Sequence, residues 1–209
     1  MSNDMASENL FGGRLEGEVR SYDEFMAWCT EMAENKQTSG HNQEESLIGY
    51  TALNFRRMQR LNKTFKLSEL AIDSLARLEV VQHWLVFTES WCGDSAQTLP
   101  IINKVAEGSS GKILLQVVMR DENLAVMDEH RTNGGLAIPK LVVLDDQGEQ
   151  VYEWGPRPTD AQKLLQDWKA NPQGKDWEAF ELELHTWYAR DKGQSSQVEL
   201  IQLIEKFHN

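Results

Sequence analysis

From Ser21 onward the chain shows apolar residues at helical spacing. Phe25, Trp28, Cys29 and Met32 fall on one stripe, and Ser21 with Glu24 three residues later forms a capping-box pattern. Residues 1–20, polar and without period, are read as a loose arm. After a polar break at Gln37–Glu45, the pattern predicts helices over Ile48–Leu61 and Ser68–Leu78. In the latter, Ser68 is the cap and Leu70, Leu75 and Leu78 face inward. The period then changes. Val80–Thr88 is a strand-sized run rich in β-branched and aromatic residues, and Ser95–Glu107 returns to helical spacing through Leu99, Ile102 and Val105. Ile113–Met119 reads as a strand and Glu122–His130 as a short helix. Lys140–Leu144 and Gln150–Trp154 flank an Asp145–Gly148 turn, and Thr159–Ala170 reads as a helix capped by Thr159.

The order strand, helix, strand, helix, hairpin, helix has a topological consequence. Two strands joined by a helix pair in parallel, and two joined by a tight turn pair antiparallel, so a mixed sheet with helices on both faces follows. The tail is helical again. Trp177, Phe180, Leu184, Trp187 and Tyr188 share one face, Lys192-Gly193 is a stop, and Ser196–Phe207 is amphipathic through Leu200, Leu203, Ile204 and Phe207. The fold class is α/β: a core over residues 79–170, a helical extension over 21–78 packed on it, and a second over 171–209.

Composition narrows the functions. The chain has 209 residues, 21 Lys+Arg against 33 Asp+Glu, and a formal net charge of −12. That charge disfavours binding to nucleic acid or an anionic membrane, and its plain reading is a well-solvated surface. No apolar run approaches a transmembrane span and no signal peptide is visible, which makes the cytoplasm the expected location. The histidines, His41, His83, His130, His185 and His208, have no metal-binding spacing, and Gly12-Gly13 and Gly134-Gly135 read as turns, not phosphate loops. Neither a metal nor a bound cofactor is expected.

Two cysteines, Cys29 and Cys92, are too few for a disulfide scaffold. Cys29 belongs to an apolar helical stripe and reads as a buried thiol. Cys92 stands where a strand gives way to a helix, within Thr88-Glu-Ser-Trp-Cys-Gly-Asp-Ser95. Free backbone N–H groups and the helix dipole favour a thiolate there. Glu89 and Asp94 oppose it, and Arg120 at the end of the second strand would offset them if the fold brought it near. Ser95, three residues on, occupies the place from which a second thiol would close a disulfide, and it can donate a hydrogen bond to the sulfur instead.

These residues resemble the thioredoxin superfamily. Trp91-Cys92-Gly93 matches the family's lead into its active-site helix, Pro100 its helix-kinking proline, and Ile138-Pro139 before a strand its cis-proline loop. The match spans roughly Val80–Ala170. The whole chain, with Trp-Cys-Gly-Asp and Trp154-Gly155-Pro156-Arg157-Pro158, resembles a poorly characterised bacterial group of thioredoxin-like proteins, for which the resemblance implies a fold and no defined substrate. It implies catalytic roles for Cys92 and Ser95, and a site shaped by Trp91, Gly93, Asp94, Ile138 and Pro139.

Two functions compete. In the first, Cys92 attacks a protein or small-molecule disulfide, and the mixed disulfide is resolved by a second thiol, with glutathione as candidate co-substrate and Cys29 as the internal candidate. In the second, the frame is a binding or scaffold module whose added helices meet a protein partner. Peroxidase chemistry of the peroxiredoxin kind is disfavoured, because Glu89 stands where that family has Thr. The tail after Asn171 is short for a glutathione transferase.

Overall fold

A computed structural model describes residues 12–207. Its helices are α1 (Tyr22–Glu34), α2 (Glu45–Thr64), α3 (Glu69–Ala76), α4 (Gly93–Gly108), α5 (Leu124–Met127, continued by a 3-10 turn at Asp128–His130), α6 (Thr159–Ala170), α7 (Trp177–Asp191) and α8 (Gln194–Lys206). The strands are β1 (Gln82–Thr88), β2 (Ile113–Met119), β3 (Lys140–Leu144) and β4 (Gln150–Trp154), in the order β2-β1-β3-β4. β1 runs parallel to β2 and antiparallel to β3, and β3 pairs antiparallel with β4. This is the expected mixed sheet flanked by helices, with a thioredoxin-like topology.

The strands alternate between two cores because successive side chains point to opposite faces. Trp84, Val86, Val117, Leu141 and Val143 pack with Phe25, Cys29, Leu75, Leu99, Ile102, Leu200 and Ile204 from α1, α3, α4 and α8. Leu85, Phe87, Val118, Val142 and Leu144 face the other way, onto Val126, Met127, Ile138 and Cys92. A third cluster joins α6 to α7 through Ala161, Leu165, Phe180, Leu184 and Tyr188, with Trp168 stacked on Phe180 at 4.8 Å. Cys29 and Cys92 therefore lie in different cores.

Several elements differ from the sequence reading. Of the arm expected over 1–20, residues 1–11 lie outside the described residues, as does His208. Its far end is tied down: Arg20 pairs with Val117 at the β2 edge, and Asn123 exchanges hydrogen bonds with the Glu16 backbone. Leu75 and Leu78 face inward as expected, but Leu70 points to solvent, since the buried stripe of α3 runs through Ala71, Ser74 and Leu75 and continues at Leu78 just beyond the helix. Thr159 is not the cap of α6. Pro158 holds that position, and the Thr159 amide donates instead to Glu199 of α8 at 2.7 Å. Trp177 is half-exposed and meets Trp168 edge-on. The active-site helix begins two residues earlier than its periodicity suggested, directly after Cys92. Among the described residues, no helix is long and apolar enough to cross a membrane.

Candidate active site

Cys92 is the N-cap of α4. Its Sγ accepts from the Ser95 amide at 3.5 Å and donates to the Ile138 carbonyl at 3.4 Å. The Ile138–Pro139 peptide bond is cis, as is Gly155–Pro156. The two loops lie against each other, and a Cβ on Gly155, whose φ is +108°, would sit 2.3 Å from the Pro139 carbonyl oxygen. Only glycine permits that approach, which brings the following Arg157 under the start of α4. Trp91, Cys92, Gly93, Asp94, Ala137, Ile138 and Arg157 then line one side of a cleft of about 350 Å³. Leu47 and Tyr50 from the N-terminal extension and Trp177 and Glu181 from the C-terminal extension line the other.

The expected residues assemble, with altered roles. Ser95 donates its amide to the sulfur, and its hydroxyl, which accepts from Thr88 at 2.7 Å, also favours the charged form of the thiol. Glu89 turns away: one carboxyl oxygen accepts the Asp121 amide at 2.9 Å, and the Ser39 hydroxyl lies close enough to draw its pKa down. Burial holds its carboxyl above the ordinary carboxylate range. Arg120 stacks over Trp91 at 5.1 Å and bonds Asp121 and the Leu136 carbonyl; the cation that acts on the sulfur is Arg157.

Sequence reasoning missed the groups that back the site. Asp94 accepts from Arg157 Nε at 2.9 Å and from the Tyr188 hydroxyl at 2.8 Å, a buried network tying the first turn of α4 to the Gly155–Pro158 loop and to α7. Burial pushes the Asp94 carboxyl up, and Arg157 and Tyr188 draw it back. His185, one turn before Tyr188, lies against Gly93, where a Cβ would come within 3.2 Å of the imidazole. Its Nδ1 is buried with no hydrogen-bond partner among the described residues. Burial, and then Arg57, push its pKa down to about 4, so the ring is neutral near pH 7. On the other flank, Ser90 is held by Ser39, Thr38 and Thr51, and its carbonyl accepts from Asn54 of α2. The N-terminal extension thus fixes the loop that presents Cys92.

The electrostatics at the sulfur are unfavourable to charge. Burial first, then the Asp94 carboxylate, push the Cys92 thiol up to about 11, against smaller lowering contributions from Ser95 and Arg157. The dipole and free amides of the helix start are outweighed by desolvation. Cys29, fully buried between α1 and the sheet, is pushed up to about 12 by burial, against a smaller lowering by Arg20.

A protein-family profile described as thioredoxin matches residues 40–169. The chain belongs to the thioredoxin family. The match begins ahead of α2, so the part of the family represented here includes α2 and α3 as well as the strand-bearing core. Among solved structures, a Pseudomonas aeruginosa protein of unknown function is similar at 20% identity, with a TM-score of 0.53, over 85% of this chain and 96% of that one. An HIV epitope-scaffold is similar at 21% identity and a TM-score of 0.51, over 90% of this chain and 99% of that one. At these identities the likeness concerns the fold. No curated protein matches the sequence.

Proposed function

We propose that the protein is a single-thiol thiol–disulfide oxidoreductase working through a mixed disulfide on Cys92. The observation that carries this reading is the placement of Cys92: a helix N-cap, beside the Ile138–Pro139 loop, at the floor of a cleft, with Ser95 in place of a second thiol. Cys92 releases its proton to solvent and the thiolate attacks one sulfur of a substrate disulfide. The Cys92–substrate S–S bond forms as the original S–S bond breaks, and the other half leaves as a thiolate that takes up a proton. A second thiol, glutathione or a protein thiol, then attacks the substrate sulfur and releases Cys92.

The raised pKa sets the tempo. At pH 7 a thiol with a pKa near 11 is ionised to about one part in ten thousand, against about 3% for an ordinary cysteine. Higher intrinsic nucleophilicity recovers roughly tenfold, leaving attack about thirtyfold slower than by a free thiol. Cys92 is also a poor leaving group, so the mixed disulfide is long-lived. That same protonated thiol favours a second reading, a binding module on a thioredoxin frame that performs no exchange. Turnover of a small mixed disulfide in the presence of glutathione separates the two. The oxidoreductase reading expects slow turnover that vanishes in Cys92→Ser; equal background rates in both proteins would leave the binding module.

A further inference from the structure

The cleft over Cys92 adjoins a second depression of about 510 Å³ between α2 and α7, and Tyr50 and Glu181 line both. The Tyr50 hydroxyl donates to the Glu181 carboxylate at 2.9 Å, joining the two helices where the depressions meet. The outer depression is walled by Leu53 and Leu182, both exposed, and the half-exposed Trp177 stands at the inner cleft. Its charges are one-sided. Asp94 and Arg157 neutralise each other beneath the sulfur. Among the described residues that line the outer depression, Asp176, Glu178 and Glu181 face one cation, Arg57, which is half-buried and donates to Asn54 at 3.0 Å. The groove leading to Cys92 is thus apolar-walled and negatively charged.

We infer that this groove selects a polypeptide substrate, a disulfide-bonded cysteine flanked by apolar and basic side chains, and disfavours anionic disulfides such as that of glutathione. Leucine-sized side chains would cover Leu53 and Leu182, and lysine or arginine would meet the carboxylates of α7. The inference rests on Cys92 attacking disulfides, and it assigns the two helical extensions as the specificity surface for that attack.

Two eight-residue peptides test it, each with one cysteine capped as a thionitrobenzoate disulfide and flanking leucines, one carrying lysines and the other glutamates. Attack by Cys92 forms the Cys92–peptide S–S bond and expels the coloured thionitrobenzoate anion. The basic peptide is expected to react about tenfold faster at low ionic strength, with the ratio shrinking as salt screens the groove. In Glu178→Lys the basic-to-acidic ratio is expected to fall to below about threefold. Equal rates for the two peptides, or glutathione disulfide reacting as fast as the basic peptide, would overturn the groove while leaving Cys92 as the attacking thiol. No thionitrobenzoate release above the Cys92→Ser level from either peptide would overturn both.

Discussion

The two cysteines occupy opposite faces of one sheet, and both thiols are held protonated by burial. Cys29 is surrounded by Phe25, Leu75, Leu99 and other apolar side chains in the larger core. Cys92 is 7% exposed, caps a helix and contacts a backbone carbonyl and an amide at the floor of a cleft. Burial sets the direction of the thiol's pKa in both places; only the second lies at the floor of a cleft. A raised pKa is therefore no measure of whether a cysteine is a site. The backbone around it and the groups that could move charge near it are what differ.

The largest effect expected from this contrast is in reactivity. With iodoacetamide in native buffer, Cys92 should be alkylated at least about a thousandfold faster than Cys29, which reacts only after the core opens. Peptide mass mapping over time measures the ratio, and comparable rates would erase the distinction. Next comes stability. Cys29→Ser buries a hydroxyl among apolar groups and should cost about 2 kcal/mol in urea unfolding. Cys92→Ser should cost less than about 0.5 kcal/mol, because serine is a preferred N-cap.

A smaller effect concerns Asp94. Its carboxylate raises the Cys92 pKa while Arg157 lowers it, so Asp94→Asn should move the alkylation profile of Cys92 to lower pH and leave Cys29 unmoved. The wild-type profile should climb about tenfold per pH unit through pH 9 and 10. The smallest effect is the contribution of His185. Its folded-state pKa is depressed to about 4, so its share of stability is present above the unfolded value near 6.5 and is lost as pH falls from there through 4. The stability difference between wild type and His185→Gln, followed from pH 7 to 4, should narrow over that window. Arg57, Glu181 and Gly93 are the groups facing the ring.

Much of the fold was legible because it depends on local pattern. β2, β3 and β4 end where their β-branched and aromatic runs end, and the capping box at Ser21 forms as its spacing implies. Errors came where a tertiary partner decided the outcome. Glu199 from α8 receives the Thr159 amide, and Ala71, not Leu70, takes the inward place in the first turn of α3 beside Leu75. Cys92, Ser95 and the Ile138–Pro139 loop were legible as motifs. The groups that tune them were not: Arg157 and Tyr188 lie 63 and 94 residues from Asp94 in the chain. One signal was available, an arginine held between two prolines after a glycine. A charged side chain in so constrained a loop is an economical hint of a buried partner, but only the fold names Asp94.

The most direct measurement is the intact mass of the protein after brief exposure to a small symmetrical disulfide. A single-thiol site predicts one adduct per chain, mapped to Cys92, stable on removal of the reagent and released by added thiol. A chain that remains unmodified, or one that loses two hydrogens to form a Cys29–Cys92 disulfide, would contradict it.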